Sequence, residues 1–347
     1  MGILSAEHMT PRHGTTVRLP GRVSIGILAT GSYLPETEIG NDEVAGPAGV
    51  DAAWISERTG ILSRRRAAPD QATSDLAIAA ARRALEEAAV RAGDLQLIIV
   101  ATSTPDYPQP STASLVQGAL GATGAAAFDI NAVCSGFVFA LSVAQRFLAQ
   151  TAGGRALVIG ADVYSRILNR TDRRTSTLFG DGAGAVVLGD VPPERGMVAD
   201  QLASFGEYAD LIRVPGGGSR TPLTTEALAA GLQHFTMQGR AVREFVENHL
   251  PPAVAGFLKD AGLSPDDIDH VVPHQANGRM LDSLLPHLDL PRAVLHRTVE
   301  RYGNTGAASI PITLDHANRS GRLRAGDVVL LAGFGGGMAT GISVLHW

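Results

Sequence analysis

Residues 129–141 read DINAVCSGFVFAL and hold the only cysteine in a chain of 347 residues. An apolar run, AAAFDI, leads into a turn of small residues around Cys134, Ser135 and Gly136. The apolar spacing of SGFVFALSVAQRFLAQ then predicts a helix. Strand, turn and helix in this order are part of an α/β unit. Cys134 therefore stands where a helix opens, and unpaired N–H groups and the helix dipole lower a thiol's pKa there. Cysteine is equally one of the most often buried residue types and packs as a small hydrophobe. Taken alone, the stretch is compatible with a nucleophile and with an inert core residue.

The same signals return about 173 positions later. After Thr73-Ser74-Asp75, an N-cap cluster, LAIAAARRALEEAAVRAG predicts a helix and DLQLIIVATST a buried strand. VAGFLKDAGLSPDDIDHVVPHQAN repeats that order. Asp94 and Asp267 are 173 residues apart, as are Asn131 and Asn304, and the strands opening at Arg155 and Asp327 are 172 apart. The period is far too long for a solenoid. It implies two similar α/β halves, 23–193 and 194–347, behind a poorly ordered N-terminal extension, 1–22. The duplication is informative where it fails: Cys134 falls opposite Ala307, and His274 opposite Ala101. Each half has specialised at the C-terminal ends of its strands, where open α/β sheets place their sites.

Bulk properties narrow the function. A net charge of −5 gives no basic field, which argues against nucleic acid as a partner. One cysteine forms no internal disulfide and fits a reducing compartment. No apolar run reaches the roughly 20 residues that span a bilayer. A cytoplasmic protein without membrane contact is expected. The histidines other than His274 show no ligand spacing and no second cysteine exists, so no metal is expected. FGDGAGAVVLGD suggests a dinucleotide loop, but it leads into a strand-like run and lacks the full spacing.

His274, in VVPHQANGR, follows an apolar strand; Asn304, in RYGNTGAAS, precedes a helical pattern. Each alone fits a packed or capping role. Together with Cys134 at equivalent strand ends they suggest one acyl-transfer site. GFGGGM, residues 333–338, offers backbone N–H groups for an oxyanion or is simply a tight turn.

DINAVCSGF, VVPHQANGR, YGNTGAASIP, FGDGAGAVVLG and GFGGGMATG, with GSYLPE and WISERTGI nearer the start, resemble β-ketoacyl-acyl-carrier-protein synthase III of the thiolase-like superfamily. The resemblance runs from about Ile25 to Trp347. Asn304 stands where other condensing enzymes of the superfamily use a second histidine, which points to the type III branch. The resemblance implies a homodimer of five-layered αβαβα subunits, with no cofactor beyond acyl-CoA as substrate. It implies that an acyl group moves from acyl-CoA to Cys134 and is condensed with malonyl-acyl-carrier protein as CO₂ is lost, in fatty-acid or polyketide initiation. Cys134, His274 and Asn304 would be catalytic, and the N–H groups of Cys134 and Gly336 an oxyanion hole. Trp54, Arg58 and Arg173 would hold the CoA nucleotide, Arg279 would meet CoA or carrier-protein phosphates, and Asn277 would support the turn.

Three departures bear on the substrate. Gln109 stands where the family often has a large apolar residue that reaches across the dimer to close the acyl pocket, a departure that speaks against simple acetyl selection, and Arg243 stands where the acetyl-selective members carry an aromatic near the tunnel entrance. Pro286 and His287 stand where a basic pair commonly meets the acidic carrier protein, which weakens electrostatic docking. Arg64, Arg65 and Arg66, or Arg170, Arg173 and Arg174, could compensate, although such runs usually form a solvated face. The alternatives are a same-fold acyltransferase serving a hydroxyl or amine without decarboxylation, and a non-catalytic partner subunit.

Overall fold

The structure, a computed structural model, describes residues 14–18 and 24–347. One sheet has five strands in the order β2 (Ser24–Tyr33), β8 (Gly182–Val191), β7 (Ala156–Asp162), β5 (Leu97–Ala101) and β6 (Ala126–Ile130). The other runs β1 (Thr16–Arg18), β9 (Gly196–Ser204), β15 (Ala339–His346), β14 (Val328–Gly335), β12 (His270–Pro273) and β13 (Val294–Leu295). Two ribbons, β3 (Thr37–Gly40) with β4 (Ser63–Arg66) and β10 (Ile212–Arg213) with β11 (Thr236–Met237), lie outside them.

The sheets repeat one topology. β5 is parallel to β6 and β7, and β8 runs antiparallel between β7 and β2. Likewise β12 is parallel to β13 and β14, and β15 runs antiparallel between β14 and β9. β1 is added to the second sheet, pairing antiparallel with Ala199–Gln201. Thr16–Arg18 is thus a strand and not part of a poorly ordered extension. Apart from Gly14 and Thr15, the rest of 1–22 lies outside the described residues.

The helices make the layers. α3 (Thr73–Glu87) and α4 (Thr112–Leu120) cover the outer face of the first sheet, and α7 (Gly239–Ala261) and α8 (Gly278–Leu288) that of the second. α5 (Gly136–Leu148) and α10 (Ser309–Arg319) lie between the sheets. α1 (Asn41–Ala48), α2 (Ala52–Thr59), α6 (Thr225–Ala229) and α9 (Val299–Tyr302) are peripheral. A helix clamped between sheets must be apolar on several sides, and α5 buries Phe137, Val138, Ala140, Leu141, Ala144 and Leu148. These pack with Leu97 and Ile99 of one sheet and Val272, Val329 and Leu331 of the other, so the halves share one core. At about 1.5–3 kcal/mol per large aliphatic side chain buried, this middle layer is what joins them.

α3 begins differently from expectation. Its N-cap is Ala72, whose N–H donates to Asp75, while Thr73 and Ser74 are already helical. Their hydroxyls donate instead to the Thr104 carbonyl and the Asp106 carboxylate of the loop after β5. Buried hydroxyls take the strongest partner in reach, and here tertiary bonds win over local capping.

Among the described residues, apolar side chains stay exposed at several places, Leu62, Tyr107, Leu223 and Val294 included. Phe128 on the edge strand β6 and Val143 and Phe147 on α5 are 38%, 38% and 45% exposed.

Candidate active site

Cys134 lies in a 3-10 turn, Val133–Ser135, between β6 and α5. Val133 has φ +47°, a left-handed conformation that costs a β-branched residue about 1–3 kcal/mol. The turn is held from the other half: the Ser135 hydroxyl donates to the Ala339 carbonyl at 3.0 Å. Gly335 is required here, because a Cβ on it would lie 2.5 Å from Cys134 Cβ. The Gly336 N–H and the cysteine's own N–H favour the ionised sulfur.

His274 follows β12, its N–H donating to the Ala332 carbonyl of β14. Its Nδ1 lies 2.7 Å from Ser309 Oγ at the start of α10, and that oxygen already accepts the Gln275 N–H. The serine's own proton is thus free for Nδ1, which leaves the imidazole proton on Nε2. Burial lowers the His274 pKa to about 3, so the ring is neutral. Asn304 is fixed by its backbone, its N–H bonding the Leu178 carbonyl and its carbonyl the Gly180 N–H. Its Oδ1 accepts the Gly306 N–H at 2.9 Å, leaving Nδ2 as a donor.

Cys134, His274 and Asn304 line one cavity of about 260 Å³, walled by Phe179, Phe235 and Phe334. Within it the helix N-terminus does not dominate the thiol. Burial and the nearby Asp162 carboxylate push the Cys134 pKa up to about 12, against the donors from Gly336, Cys134 and Tyr164. Asp162 is itself raised to about 6 by burial, although it accepts the N–H groups of Ser103 and Ala307 and the hydroxyls of Ser103 and Thr104.

Arg58, Arg174, Arg243 and Arg279 line the same cavity. Arg243 pairs with Glu247 at 2.8 Å, and Arg279 Nε donates to the Glu57 carbonyl. Trp54 and Arg173 are not in its lining but on each other, the guanidinium 5.8 Å from the ring centre. Gln109 is exposed and is not among the residues lining this cavity. Asn277 caps α8, accepting the Met280 N–H at 2.8 Å, and Pro286 and His287 lie toward that helix's end. Arg64 is no part of a solvated face: it is buried and donates to Asn41 and to the Thr177 carbonyl.

Sequence reasoning missed Tyr164, Asp162 and Ser309. Ser309 had a signal, since it opens the helix after Asn304, at the position matching Gly136. Ala101 and Ala307, the counterparts of His274 and Cys134, both face Gly136: a Cβ there would lie 3.2 and 3.7 Å from their methyls. Among the described residues no group of three or more His, Cys, Asp or Glu side chains could hold a metal ion. None of the described helices is long and apolar enough to cross a membrane.

Two family models match the chain: 3-oxoacyl-[acyl-carrier-protein] synthase III over residues 128–206, and its C-terminal part over 258–347. The chain is 60% identical to acetoacetyl CoA synthase NphT7 of Streptomyces sp. strain CL190, over 94% of this chain and 99% of that one. It is 44% identical to β-ketoacyl-[acyl-carrier-protein] synthase III of Caldanaerobacter subterraneus subsp. tengcongensis, over 94% and 98%. The crystal structure of 3-oxoacyl-[acyl-carrier-protein] synthase III from Aquifex aeolicus superposes with a TM-score of 0.85 at 35% identity, covering 93% of this chain and all of that one. With its two matched sheets, five layers and these relatives, the chain belongs to the β-ketoacyl-[acyl-carrier-protein] synthase III family of thiolase-fold condensing enzymes.

Proposed function

We propose that Cys134 takes an acetyl group from acetyl-CoA and that the enzyme condenses it with malonyl-CoA, releasing CO₂ and acetoacetyl-CoA. The observation that carries the site is the convergence of one thiol and two neutral N–H donors, His274 Nε2 and Asn304 Nδ2, on a single cavity. Sγ attacks the acetyl thioester while the Cys134 and Gly336 N–H groups hold the developing oxyanion, and CoA leaves. The malonyl thioester then places its carbonyl oxygen on His274 and Asn304. As the C–CO₂ bond breaks, its electrons form an enolate that these donors stabilise, each worth about 3–4 kcal/mol. The enolate carbon attacks the acetyl carbonyl, and collapse expels the Cys134 thiolate, which regains a proton. A neutral imidazole suits this role, because it donates a hydrogen bond without giving up a proton.

Two observations support CoA as carrier of the second substrate. The relative at 60% identity is named for an acetoacetyl-CoA product. Pro286 and His287 on α8 also leave little positive charge for an acidic carrier protein. The family model favours the second reading, malonyl-acyl-carrier protein as acceptor. Trp54, Arg58 and Arg173 would hold the nucleotide of CoA, and Arg279 would meet CoA or carrier-protein phosphates. The functional unit is proposed to be a homodimer that covers Phe128, Val143 and Phe147 and brings Gln109 toward the partner's acyl pocket.

Intact-mass spectrometry tests the scheme. Acetyl-CoA should leave one acetyl group on the wild type and none on Cys134→Ala. The loaded enzyme should then give acetoacetyl-CoA from malonyl-CoA faster than an acetoacetyl product from malonyl-carrier protein. Transfer of the acetyl group to water or an amine, with malonyl-CoA left intact, would refute the condensing assignment of the site.

A further inference from the structure

Ser309 opens α10 directly behind the His274 imidazole, its Oγ 2.7 Å from Nδ1. A closed ring of hydrogen bonds among four buried residues holds it there. The Gln275 N–H donates to Ser309 Oγ at 3.2 Å, and the Ser309 carbonyl accepts the Thr313 hydroxyl at 2.8 Å. Thr313 Oγ1 lies 2.6 Å from Thr298 Oγ1, and the Thr298 N–H donates to Gln275 Oε1 at 3.0 Å. The Gln275 amide is saturated as well: its Nε2 donates to the Pro273 and His296 carbonyls, and its Oε1 also accepts the Val299 N–H.

Donor counting places the protons. Thr313 gives its proton to the Ser309 carbonyl, so the Thr298 hydroxyl donates to Thr313. Ser309 Oγ carries one proton, and among the described residues His274 Nδ1 is the one acceptor in reach of it. Were Nδ1 protonated, the serine would bury a hydroxyl proton without an acceptor, the costlier arrangement. The internal duplication points the same way. Ser309 and Gly136 are 173 residues apart, as are His274 and Ala101. A Cβ on Gly136 would lie 3.2 Å from the Ala101 methyl, so the same two positions meet in the other half, with neither hydroxyl nor ring. The hydroxyl belongs to the half that carries the histidine.

We infer that Ser309 is a positioning residue for decarboxylation: its hydroxyl, turned by the Gln275 N–H and the ring of bonds behind it, keeps the His274 proton on Nε2. Ser309 is not among the residues lining the cavity and acts through the imidazole. The inference rests on the reading of His274 Nε2 as a donor to the malonyl thioester. A ring protonated on Nδ1 is equally neutral but turns a lone pair toward the oxygen on which enolate charge develops, and repels it. Acetyl loading needs no donor from His274, so loss of the serine hydroxyl separates the two half-reactions.

Ser309→Ala removes a single oxygen. With the histidines labelled with nitrogen-15, the His274 ring is the signal missing from His274→Ala. In the wild type its unprotonated nitrogen should be Nδ1, and in Ser309→Ala a population with unprotonated Nε2 should appear. Acetyl loading of Ser309→Ala, read by intact mass, should match the wild type. Its kcat for malonyl-CoA decarboxylation, read by CO₂ release, should fall about tenfold. Thr313→Val, one turn along α10, removes a buried hydroxyl that bonds the Ser309 carbonyl, and should leave the tautomer and both half-reactions near wild type. A proton that stays on Nε2 alone in Ser309→Ala overturns the proposal. So does an equal loss of decarboxylation in Thr313→Val with the tautomer unchanged, which would be the mark of a merely structural hydroxyl. Undiminished decarboxylation by His274→Ala would end the reading of His274 as donor instead, and the tautomer measurement would still report what Ser309 does to the ring.

Discussion

The thiol, the imidazole and the amide divide the chemistry by what burial does to each. Cys134 is pushed to about 12, so acylation depends on a scarce thiolate, and its rate should climb through the neutral and alkaline range without levelling near pH 8.5. Stopped-flow loading from acetyl-CoA would show it. For Asn304→Ala, acetyl loading should persist while malonyl-CoA decarboxylation falls about 100-fold or more, read by CO₂ release. His274 binds no proton in the folded state above about pH 3, whereas the unfolded chain takes one below pH 6.5. The unfolded state therefore binds more protons between those values, and His274 makes the fold less stable as pH falls from 6.5. The decline in Tm from pH 7 to 5 should be shallower in His274→Gln than in the wild type.

At the scale of elements, strand ends and helix starts did the work of placing side chains, and this was the part best legible in the sequence. β6 to α5 and the segment after β12 follow directly from apolar runs ending at small residues. The 173-residue offset paired Leu97 with His270 and Gly136 with Ser309, which are indeed the first residues of equivalent elements. What the sequence did not reveal are contacts made across the core. Nothing in VYSR marks Tyr164 as stacking on Phe179 and meeting Phe235 edge-on, and Thr73 and Ser74 read as caps because local bonding is all a sequence pattern contains. Arg64 likewise looked like surface charge, yet its partners come from α1 and from the segment before β8. On α8, replacing Pro286 and His287 by lysine should raise turnover of malonyl-carrier protein several-fold at low salt and leave malonyl-CoA turnover unchanged. Salt should abolish the gain, which steady-state rates at two ionic strengths would reveal.

For the whole molecule, the middle layer is built from both halves, although each half also has a cluster of its own beneath its outer helices. Calorimetry should show one unfolding transition, with activity lost over the same temperature range. The exposed Phe128, Val143 and Phe147 lie on and beside an edge strand, a surface that soluble chains normally cover. If the proposed homodimer covers this face, Phe147→Glu should lower the sedimentation coefficient from a dimer's to a monomer's, and the acyl-CoA profile should change with it.

The counterpart of the active site across the internal pseudo-symmetry is not an empty copy awaiting residues. Ala101 and Ala307 crowd Gly136, the Ala307 N–H is tied to Asp162, and its carbonyl occupies the place a Cβ on Gly160 would need, 2.4 Å away. That second location is filled with methyl groups and backbone. Stoichiometry follows from that filling: each polypeptide can be titrated by one covalent equivalent and no more. The amplitude of a loading burst is therefore a direct count of competent chains in any preparation.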